Sequence, residues 1–231
     1  MGTFQEQKAI SIVIPTLDAA AELPGTLAAL AGSALIREII VSDGGSRDDT
    51  LAIADAADAR RVAGPPGRGI QLIAGAAAAT SEWLLFLHAD CRLAPGWEKA
   101  AAEFIADPDA TDRAGYFRFA LDDPDPAARR LERIVAWRCR VLALPYGDQG
   151  LLIPHSLYDA VGGFAPIPLM EDVDLIRRLG RRRLVPIGAQ AVSSARRYRR
   201  EGYLRRPLRN LLCLSLYFAG VPPRRIARLY G

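Results

Sequence analysis

Cysteine and histidine are scarce in this 231-residue chain, which holds three cysteines and two histidines. The cysteines stand far apart and are odd in number, which argues against a disulfide framework and against a thiolate zinc site. A histidine-rich metal site is excluded as well, because His88 and His155 are the only histidines. This composition is typical of a protein from a reducing compartment.

Long apolar runs are also missing. No stretch of about 20 apolar residues, the length needed to span a bilayer, occurs in the sequence. Residues 1–8 lead directly into a predicted strand and lack the pattern of a signal peptide. We therefore expect a cytoplasmic location, either free or bound peripherally at the inner face of the membrane.

Lysine is nearly absent, and the basic residues are concentrated at one end of the chain. Residues 196–231 hold ten arginines and a single acid, Glu201, although the net charge of the whole chain is only +4. This asymmetry separates an arginine-rich, helical C-terminal segment, 196–231, from one large domain, 1–195. We divide that domain into a nucleotide-binding half, 1–92, and an acceptor half, 93–195.

The first half alternates short apolar, β-branched stretches with alanine-rich ones. Strands are predicted at 9–14, 38–42, 60–63 and 83–87, and helices at 23–30, 49–57 and 69–79. This alternation predicts an α/β fold with parallel strands and a Rossmann-like nucleotide-binding half.

The second half predicts a different pairing. Residues 115–121 alternate in polarity, which suits a more exposed or antiparallel strand, so we expect a mixed central sheet. Further elements are predicted as a helix at 126–142, a short strand to 153, a helix closed by 162–163, a helix from 171, and two short strands at 184–187 and 191–195.

The predicted strand 83–87 ends in two side chains with metal-binding chemistry, His88 and Asp90. Ligands of open α/β sheets bind at the carboxyl ends of the strands, where a carboxylate can hold a divalent cation and a diphosphate. Asp90 could instead cap a helix that follows Pro95. His88 could be an ordinary hydrogen-bonding residue, and as a ligand it would suit Mn²⁺ better than Mg²⁺.

Two other acidic motifs follow predicted element boundaries. Asp43 and Gly44 begin a tight turn after the second strand, where the carboxylate could accept a hydrogen bond from a nucleobase edge. The turn lacks the lysine of a phosphate loop and could be purely structural. Glu171 and Asp172 begin a helix, a position that acids favour electrostatically even without a catalytic role.

The order of these motifs resembles that of family 2 glycosyltransferases with the GT-A fold. The matching stretches are Ile-Pro-Thr-Leu-Asp18, Ser-Asp-Gly-Gly-Ser46, Gly-Arg-Gly-x-Gln71, His-Ala-Asp90, Tyr-Gly-Asp-Gln-Gly150 and Met-Glu-Asp-Val-Asp174. The resemblance covers nearly the whole chain and looks closest to the bacterial subset called arsenosugar-biosynthesis-type glycosyltransferases.

The resemblance implies roles for particular residues. The donor would be bound by Pro15, Thr16, Asp18, Asp43, Gly44, Arg68, His88, Ala89 and Asp90. Within this set, Arg68 would approach the phosphates and Asp90 would ligate Mg²⁺ or Mn²⁺. Asp172, beside Glu171, would be the general base, and Asp148, Gln149 and Gly150 would shape the acceptor or sugar pocket. Ala19, Ile73 and His88 depart from the family pattern and weaken some expected sugar-nucleotide contacts.

The implied activity is transfer of a sugar, with inversion, from a nucleotide diphosphate sugar to a hydroxyl acceptor. UDP is the expected nucleotide, with GDP open, and the acceptor is a small molecule or a lipid-linked one. A nucleotidyltransferase is the enzymatic alternative, but it would normally carry a glycine-rich phosphate loop after the first strand. A nucleic-acid or membrane-binding module would explain the basic segment but not the acidic motifs, and we expect no nucleic-acid partner.

The C-terminal segment supports two interpretations. Its apolar residues at 204, 208, 211, 212, 216 and 218 could form one face of a helix lying in a membrane interface. The same helix could instead pack beneath the sheet with its arginines outermost. This second interpretation is favoured, because apolar residues surround the helix on nearly all sides.

Overall fold

The strand Trp83–Phe86 lies in the middle of the sheet and is buried on both faces. In this computed structural model, which describes residues 10–230, its neighbours are a parallel strand on one side and an antiparallel strand on the other. The sequence-based prediction of a central buried strand is confirmed, one residue shorter than expected. The start of the first predicted strand, at residue 9, lies outside the described residues.

Eight strands and ten α-helices make up the described fold. The strands are β1 (Ile10–Thr16), β2 (Ile36–Asp43), β3 (Arg60–Ala63), β4 (Trp83–Phe86), β5 (Cys91–Leu93), β6 (Ala114–Leu121), β7 (Leu151–Pro154) and β8 (Leu184–Ser193). The helices are α1 (Leu23–Leu30), α2 (Thr50–Ala56), α3 (Arg68–Ala78), α4 (Trp97–Ile105), α5 (Pro126–Leu142), α6 (His155–Ala160), α7 (Glu171–Leu179), α8 (Arg196–Glu201), α9 (Arg205–Phe218) and α10 (Pro223–Tyr230). Two short 3-10 helices cover Pro108–Asp112 and Arg181–Arg183.

All eight strands form one mixed sheet in the order β3-β2-β1-β4-β7-β6-β8-β5. The four strands of the first half are parallel, so their carboxyl ends meet at one edge. The register places Thr16 opposite Asp43 at that edge. The expected α/β fold with a Rossmann-like half and a mixed central sheet is therefore confirmed, and the sheet continues into the second half through β7.

The second half of the sheet differs in three details from the sequence-based expectation. Strand β8 is one ten-residue strand, not two short ones. Its pairing with β6 jumps from Pro186 to Gln190, so a bulge interrupts the apolar pattern that the sequence presents. Strand β6 is mostly buried and pairs parallel with β8 as well as antiparallel with β7.

The interpretation of Asp90 as a helix cap is wrong. The three-residue strand β5 follows Asp90 directly and pairs with β8 at the far edge of the sheet. Helix α4 begins only at Trp97, after Gly96 in the left-handed region. The sequence hides this strand because three residues are too few to show a period.

The C-terminal segment folds into α8, α9 and α10. Helix α9 packs through Cys213 and Leu214 against Met170, Val173 and Ile226, next to the start of α7 and not beneath the sheet. Arg206 is buried, whereas Arg205, Leu208 and Leu211 are exposed, so the expected arrangement with arginines outermost holds only in part. Among the helices described, none combines the length and apolarity that crossing a bilayer requires.

Helix α3 approaches β1 closely at Gly75. A Cβ atom at this position would lie 2.3 Å from Cγ1 of Val13, well inside van der Waals contact. The glycine is therefore required for α3 to lie against the sheet and to bring its first residue, Arg68, to the carboxyl edge.

We predict that Gly75→Ala lowers the free energy of unfolding by about 1–3 kcal/mol, the usual cost of overpacking. Alanine favours a helix over glycine by roughly 1 kcal/mol, so a loss of stability would have to come from the contact with Val13. Urea unfolding measures the change. Gly188→Ala is the matched control, because no heavy atom lies within 4 Å of its added Cβ. Equal stability of the two variants would contradict the close approach.

Candidate active site at the carboxyl edge of the sheet

Asp43, at the end of β2, organises the loop that follows it. Its carboxylate accepts hydrogen bonds from Thr16 Oγ1 at 2.9 Å, from the backbone N–H groups of Gly45 and Ser46 at 2.8 Å each, and from the Ser46 hydroxyl. Burial alone would raise the pKa of Asp43, but these hydrogen bonds outweigh burial and lower it. The carboxylate is thus an ionised anchor for the loop, and its contact with a nucleobase stays a prediction.

Gln71, on α3, ties the ends of β1 and β2 together. Its side-chain amide donates to the carbonyl oxygens of Thr16 and Ser42, the latter at 3.0 Å. A Cβ atom on Gly44 would lie 3.1 Å from this amide, so the glycine of the motif leaves room for Gln71. The sequence shows Gln71 within a motif but gives no sign that it is buried beneath two loops.

The loops after β1 and β2 are also cross-linked near Asp18. Its backbone N–H donates to Ser46 Oγ at 2.9 Å, and its carboxylate accepts from the backbone N–H of Arg47 at 2.8 Å. Asp18 has a φ of 49°, a left-handed conformation that aspartate tolerates. Pro15 and Thr16 at the end of β1, and Gly44 after β2, therefore adjoin two loops that support each other.

A second cluster forms where β4 and β7 run antiparallel. His88 Nδ1 lies 2.9 Å from Asp148 Oδ1, and ligand atoms of His88, Asp90 and Asp148 all lie within 4.8 Å of one another. Phe86 pairs with Leu151, so the residues that follow β4 meet those that precede β7. The sequence assigned Asp148 to the acceptor or sugar pocket and did not predict that it would join the metal cluster.

The titration behaviour of this cluster reflects its crowding. Burial would lower the pKa of His88, but its hydrogen bond with Asp148 raises it. Burial would raise the pKa of Asp148, but the hydrogen bond from His88 and nearby positive charge lower it to about 2. Burial and the negative charge of Asp148 together raise the pKa of Asp90.

The donor set of this cluster fits a divalent cation. Two carboxylates and one imidazole converge, and the Asp90 side chain makes no hydrogen bond to another residue in the range 10–230. Like charges this close destabilise each other, and a cation between them would remove that cost. Asp90, Asp148 and His88 are therefore the residues that would hold Mg²⁺ or Mn²⁺.

An ion pair between Arg68 and Glu171 joins the starts of α3 and α7. Arg68 Nε donates to Glu171 Oε1, and Arg68 Nη2 lies 3.7 Å from Asp172 Oδ2. Burial would lower the pKa of Arg68, but the charges of Glu171 and Asp172 raise it. Arg68, which the family resemblance places at the phosphates, is thus held in position by Glu171 and Asp172 at the start of α7.

Glu171 and Asp172 have different surroundings. The Glu171 side chain is fully buried, its Oε2 has no hydrogen-bond partner among residues 10–230, and burial raises its pKa. Asp172 is partly exposed, and its Oδ1 accepts a hydrogen bond from the Val173 backbone N–H at 2.7 Å. Of the two acids, Asp172 is the one with access to a substrate.

Gln149 and Gly150 lie behind the cluster. Gln149 is buried and donates to the Phe117 carbonyl at 3.0 Å, while its side-chain oxygen accepts from Arg138 Nη2 at 3.0 Å. Gly150 has a positive φ of 62° and packs against Phe117. Gln149 and Gly150 thus hold the loop that carries Asp148. The sequence assigned all three residues to the acceptor or sugar pocket and did not distinguish this supporting role from direct contact.

Several of the candidate site residues line one cavity of about 1100 Å³. Its walls include Arg68, His88, Asp90, Asp148 and Asp172. The predicted residues Pro15, Thr16, Asp18, Asp43, Gly44, Ala89, Gln149, Gly150 and Glu171 are not among its lining residues. The structure therefore separates a reactive cavity from the loops at the ends of β1 and β2.

The C-terminal segment forms part of the cavity wall, which the sequence did not predict. Arg197 lines the cavity, and its charge counteracts the raised pKa of Asp90. It forms no ion pair with any residue in the range 10–230, whereas its neighbour Arg196 pairs with Glu22 at 3.0 Å. Tyr198 lines the same wall and stacks on Tyr203. Only the clustering of arginines hinted at this wall.

Several solved structures have a similar fold. Glucosyl-3-phosphoglycerate synthase from Mycobacterium tuberculosis, in complex with Mn²⁺, UDP and glucosyl-3-phosphoglycerate, is 22% identical, with a TM-score of 0.58 over 80% of this chain and 70% of that one. The same synthase with Mn²⁺, UDP-glucose and phosphoglyceric acid is 23% identical, with a TM-score of 0.57 over 77% of this chain and 68% of that one. S. aureus TarS is 16% identical, with a TM-score of 0.62 over 80% of this chain but only 35% of TarS. These similarities show that the fold is of the GT-A type.

The family is identified by comparing the sequence with models of known families. A search of curated proteins returned no match. The model of glycosyl transferase family 2 matches residues 11–168, which is more than half of the chain and includes β1 to β7. His88, Asp90 and Asp148 all lie within the matched range, whereas Glu171 and Asp172 follow it. The chain belongs to glycosyltransferase family 2.

Proposed function

We propose that this protein transfers a sugar from a nucleotide diphosphate sugar, most simply a UDP-sugar, to a hydroxyl acceptor with inversion. The carrying observation is that His88, Asp90 and Asp148 share one cavity with the accessible carboxylate of Asp172. A leaving diphosphate and an attacking hydroxyl need these two kinds of group on opposite sides of the reacting carbon. The similar synthase structures, with Mn²⁺ and UDP-glucose, support this donor class.

The first element of the proposal is the cation held by Asp90, Asp148 and His88. When bound, it would neutralise the negative charge that accumulates on the departing diphosphate. An imidazole among the ligands favours Mn²⁺ over Mg²⁺, which strongly prefers oxygen. Asp148 is thereby moved from the sugar pocket, where the sequence placed it, to the ligand set.

The second element is the binding of the donor by two groups of residues. Pro15, Thr16, Asp18 and Gly44 would line the nucleoside, in loops that Asp43 and Gln71 hold in place. Arg68 and Arg197, which both line the cavity, would contact the diphosphate. Arginine suits this role because its planar fork donates two hydrogen bonds to phosphate oxygens.

The third element is deprotonation of the acceptor by Asp172. Glu171 acts on Arg68 and not on the substrate, because it is fully buried and ion-paired. Arg68 lies beside both acids, so binding of a diphosphate to Arg68 would compete with its weaker contact to Asp172. Asp172 would then be the carboxylate available to accept the proton of the hydroxyl group.

The alternatives raised by the sequence lose support. Family membership argues against a nucleotidyltransferase, and a pure binding module would leave the clustered acidic groups of the cavity without a role. The closer resemblance to arsenosugar-biosynthesis-type enzymes stays a prediction, since the match is to family 2 as a whole.

We predict that Asp90→Ala and Asp148→Asn each abolish the Mn²⁺-dependent binding of UDP while the protein remains folded, because both side chains are partly exposed. The loss should exceed the ~10–100-fold typical of changes outside the ligand set. A thermal-shift panel of UDP, GDP and their sugars, with and without Mn²⁺, measures this, since ligand binding raises stability by mass action. The control is Asp109→Asn, whose carboxylate is exposed and paired with Arg113. Binding of Mn²⁺ and UDP as in the wild type would refute the metal assignment.

We predict that Asp172→Asn keeps donor binding but slows transfer by ~10²–10⁴-fold, the usual contribution of a general base. Single-turnover transfer with radiolabelled donor gives the rate, and NMR of the product gives its anomeric configuration. Asp174→Asn is the matched control on the same helix, because Asp174 pairs with Arg178. Normal transfer by Asp172→Asn, or retention of the anomeric configuration, would rule out the proposed mechanism.

We predict that Arg197→Ala weakens binding of the UDP-sugar by about 10-fold or more, because a hydrogen bond to a charged group contributes about 1.5–3 kcal/mol. Isothermal titration at saturating Mn²⁺ measures the dissociation constant. Arg196→Ala serves as the control, since that side chain is exposed and directed at Glu22. Equal affinities of the two variants would mean that the C-terminal segment does not contact the donor.

A further inference from the structure

Exposed apolar side chains are concentrated on two helices that flank the cavity. Of the eleven large hydrophobic side chains that are exposed within residues 10–230, nine lie on α5, on α9 or on the residue that precedes α9. We define the α5/α9 face by Ile134, Trp137, Val141, Leu142, Leu204, Leu208, Leu211 and Leu212. Ile134, Leu204, Leu208 and Leu211 line the same cavity, so the two helices expose apolar side chains around one opening. Apolar surface gathered in this way marks a contact with a protein, a ligand or a membrane.

Helix α5 has two apolar stripes, one on each side. The inner stripe, which includes Leu131, Val135 and Cys139, packs into the core. Ile134, Trp137 and Val141 are spaced by three and four residues, so they share the outer side, where a surface helix normally presents polar groups. Trp137 is 57% exposed, and tryptophan is the side chain most enriched at membrane–water interfaces.

Helix α9 repeats this arrangement on the other side of the cavity. Cys213 and Leu214 are buried against α7 and α10, while Leu208, Leu211 and Leu212 are each more than half exposed. These leucines follow the spacing of one helical stripe. Both helices therefore expose apolar side chains to solvent, although each also has a second face that is buried.

Arginines surround the apolar side chains. Arg130, Arg133 and Arg140 are exposed on α5, Arg205 is exposed on α9, and α9 contains no acidic residue. An arginine can lay its aliphatic stem on apolar neighbours and keep its charge in the headgroup region. This combination of apolar centre and cationic rim matches the chemistry of an anionic lipid surface.

The cavity opens through this face. Ile134, Leu208 and Leu211 are exposed and also line the cavity that contains Asp148 and Asp172. A surface that covered the α5/α9 face would therefore lie over the mouth of the reactive cavity.

We propose that the α5/α9 face docks the protein on an anionic lipid bilayer, with the cavity mouth at the lipid surface. The docking stands on the exposed side chains and their arginine rim. Its meaning for the reaction, that a hydroxyl acceptor anchored in lipid reaches Asp172 directly, rests on the proposed function.

Vesicle binding by the 231-residue chain tests the docking. We expect sedimentation with phosphatidylglycerol vesicles at low salt, a loss of binding at high salt, and little binding to phosphatidylcholine. Trp83 and Trp97 are buried, so a blue shift of tryptophan fluorescence on binding should come from Trp137. Trp137→Phe should sediment like the wild type but lose the blue shift.

Two matched pairs of variants locate the face. Arg133→Glu with Arg140→Glu should weaken binding by roughly 30-fold or more, because each of the two arginines contributes about 1 kcal/mol near an anionic leaflet. Arg61→Glu with Lys99→Glu changes the net charge equally at positions outside the face and should weaken it much less. Leu208→Ser with Leu211→Ser should reduce binding, whereas Leu17→Ser, at an exposed leucine elsewhere, should not.

Several outcomes would overturn the docking. These are no sedimentation at any salt, equal losses in both members of a pair, or binding without a blue shift from Trp137. A dimer in sedimentation velocity that Leu208→Ser dissociates would assign the face to a second copy of the chain. Binding of UDP with Mn²⁺ by each variant, measured in parallel, shows that it is folded and keeps a failure of docking distinct from a failure of the proposed function.

Discussion

The ion pair between Arg68 and Glu171 determines how the two halves of this protein meet. Glu171 is fully buried, and leaving such a charge unpaired would cost roughly 3–5 kcal/mol, so the start of α7 must stay beside the start of α3. Gly69 permits the approach, because a Cβ atom there would lie 2.5 Å from the carbonyl oxygen of Ala165. Asp172 follows Glu171 directly and is thereby fixed at the wall of the cavity. The position of the proposed base thus depends on a buried neighbour that does not touch substrate.

A change of strand direction builds the other side of the site. The four parallel strands bring loops to one edge, as in any open α/β sheet, but the antiparallel pairing of β7 with β4 adds a loop that arrives from the opposite direction. This loop carries Asp148 to His88 and Asp90. The carboxylates gather where the parallel and antiparallel parts of the sheet join, which is also where the reactive cavity begins.

Local sequence patterns predicted most of the elements well, because β1 and β4 are predominantly apolar runs and α1 and α5 begin with a proline in the first turn. Helices α1 and α5 and strand β3 agree residue for residue with the prediction. The sequence did not predict features that depend on contacts between residues far apart in the chain. These are the pairing of the three-residue strand β5, the bulge in β8, and the contact of Asp148 with His88. The cavity wall formed by Arg197 was missed for the same reason, since a cluster of arginines shows charge but not direction.

The C-terminal helices line the cavity but lie outside the part of the chain that matches the family. The family match ends at residue 168, whereas α8 and α9 build the outer wall of the cavity. That wall is held together largely by Glu201, which pairs with both Arg206 and Arg209. The metal cluster draws no ligand from these helices. Apart from Arg197, which is proposed to contact the donor, substitutions in this wall would therefore reshape the entrance of the cavity while the proposed metal ligands and the proposed base stay in place, so that a new acceptor specificity would not require a new catalytic apparatus.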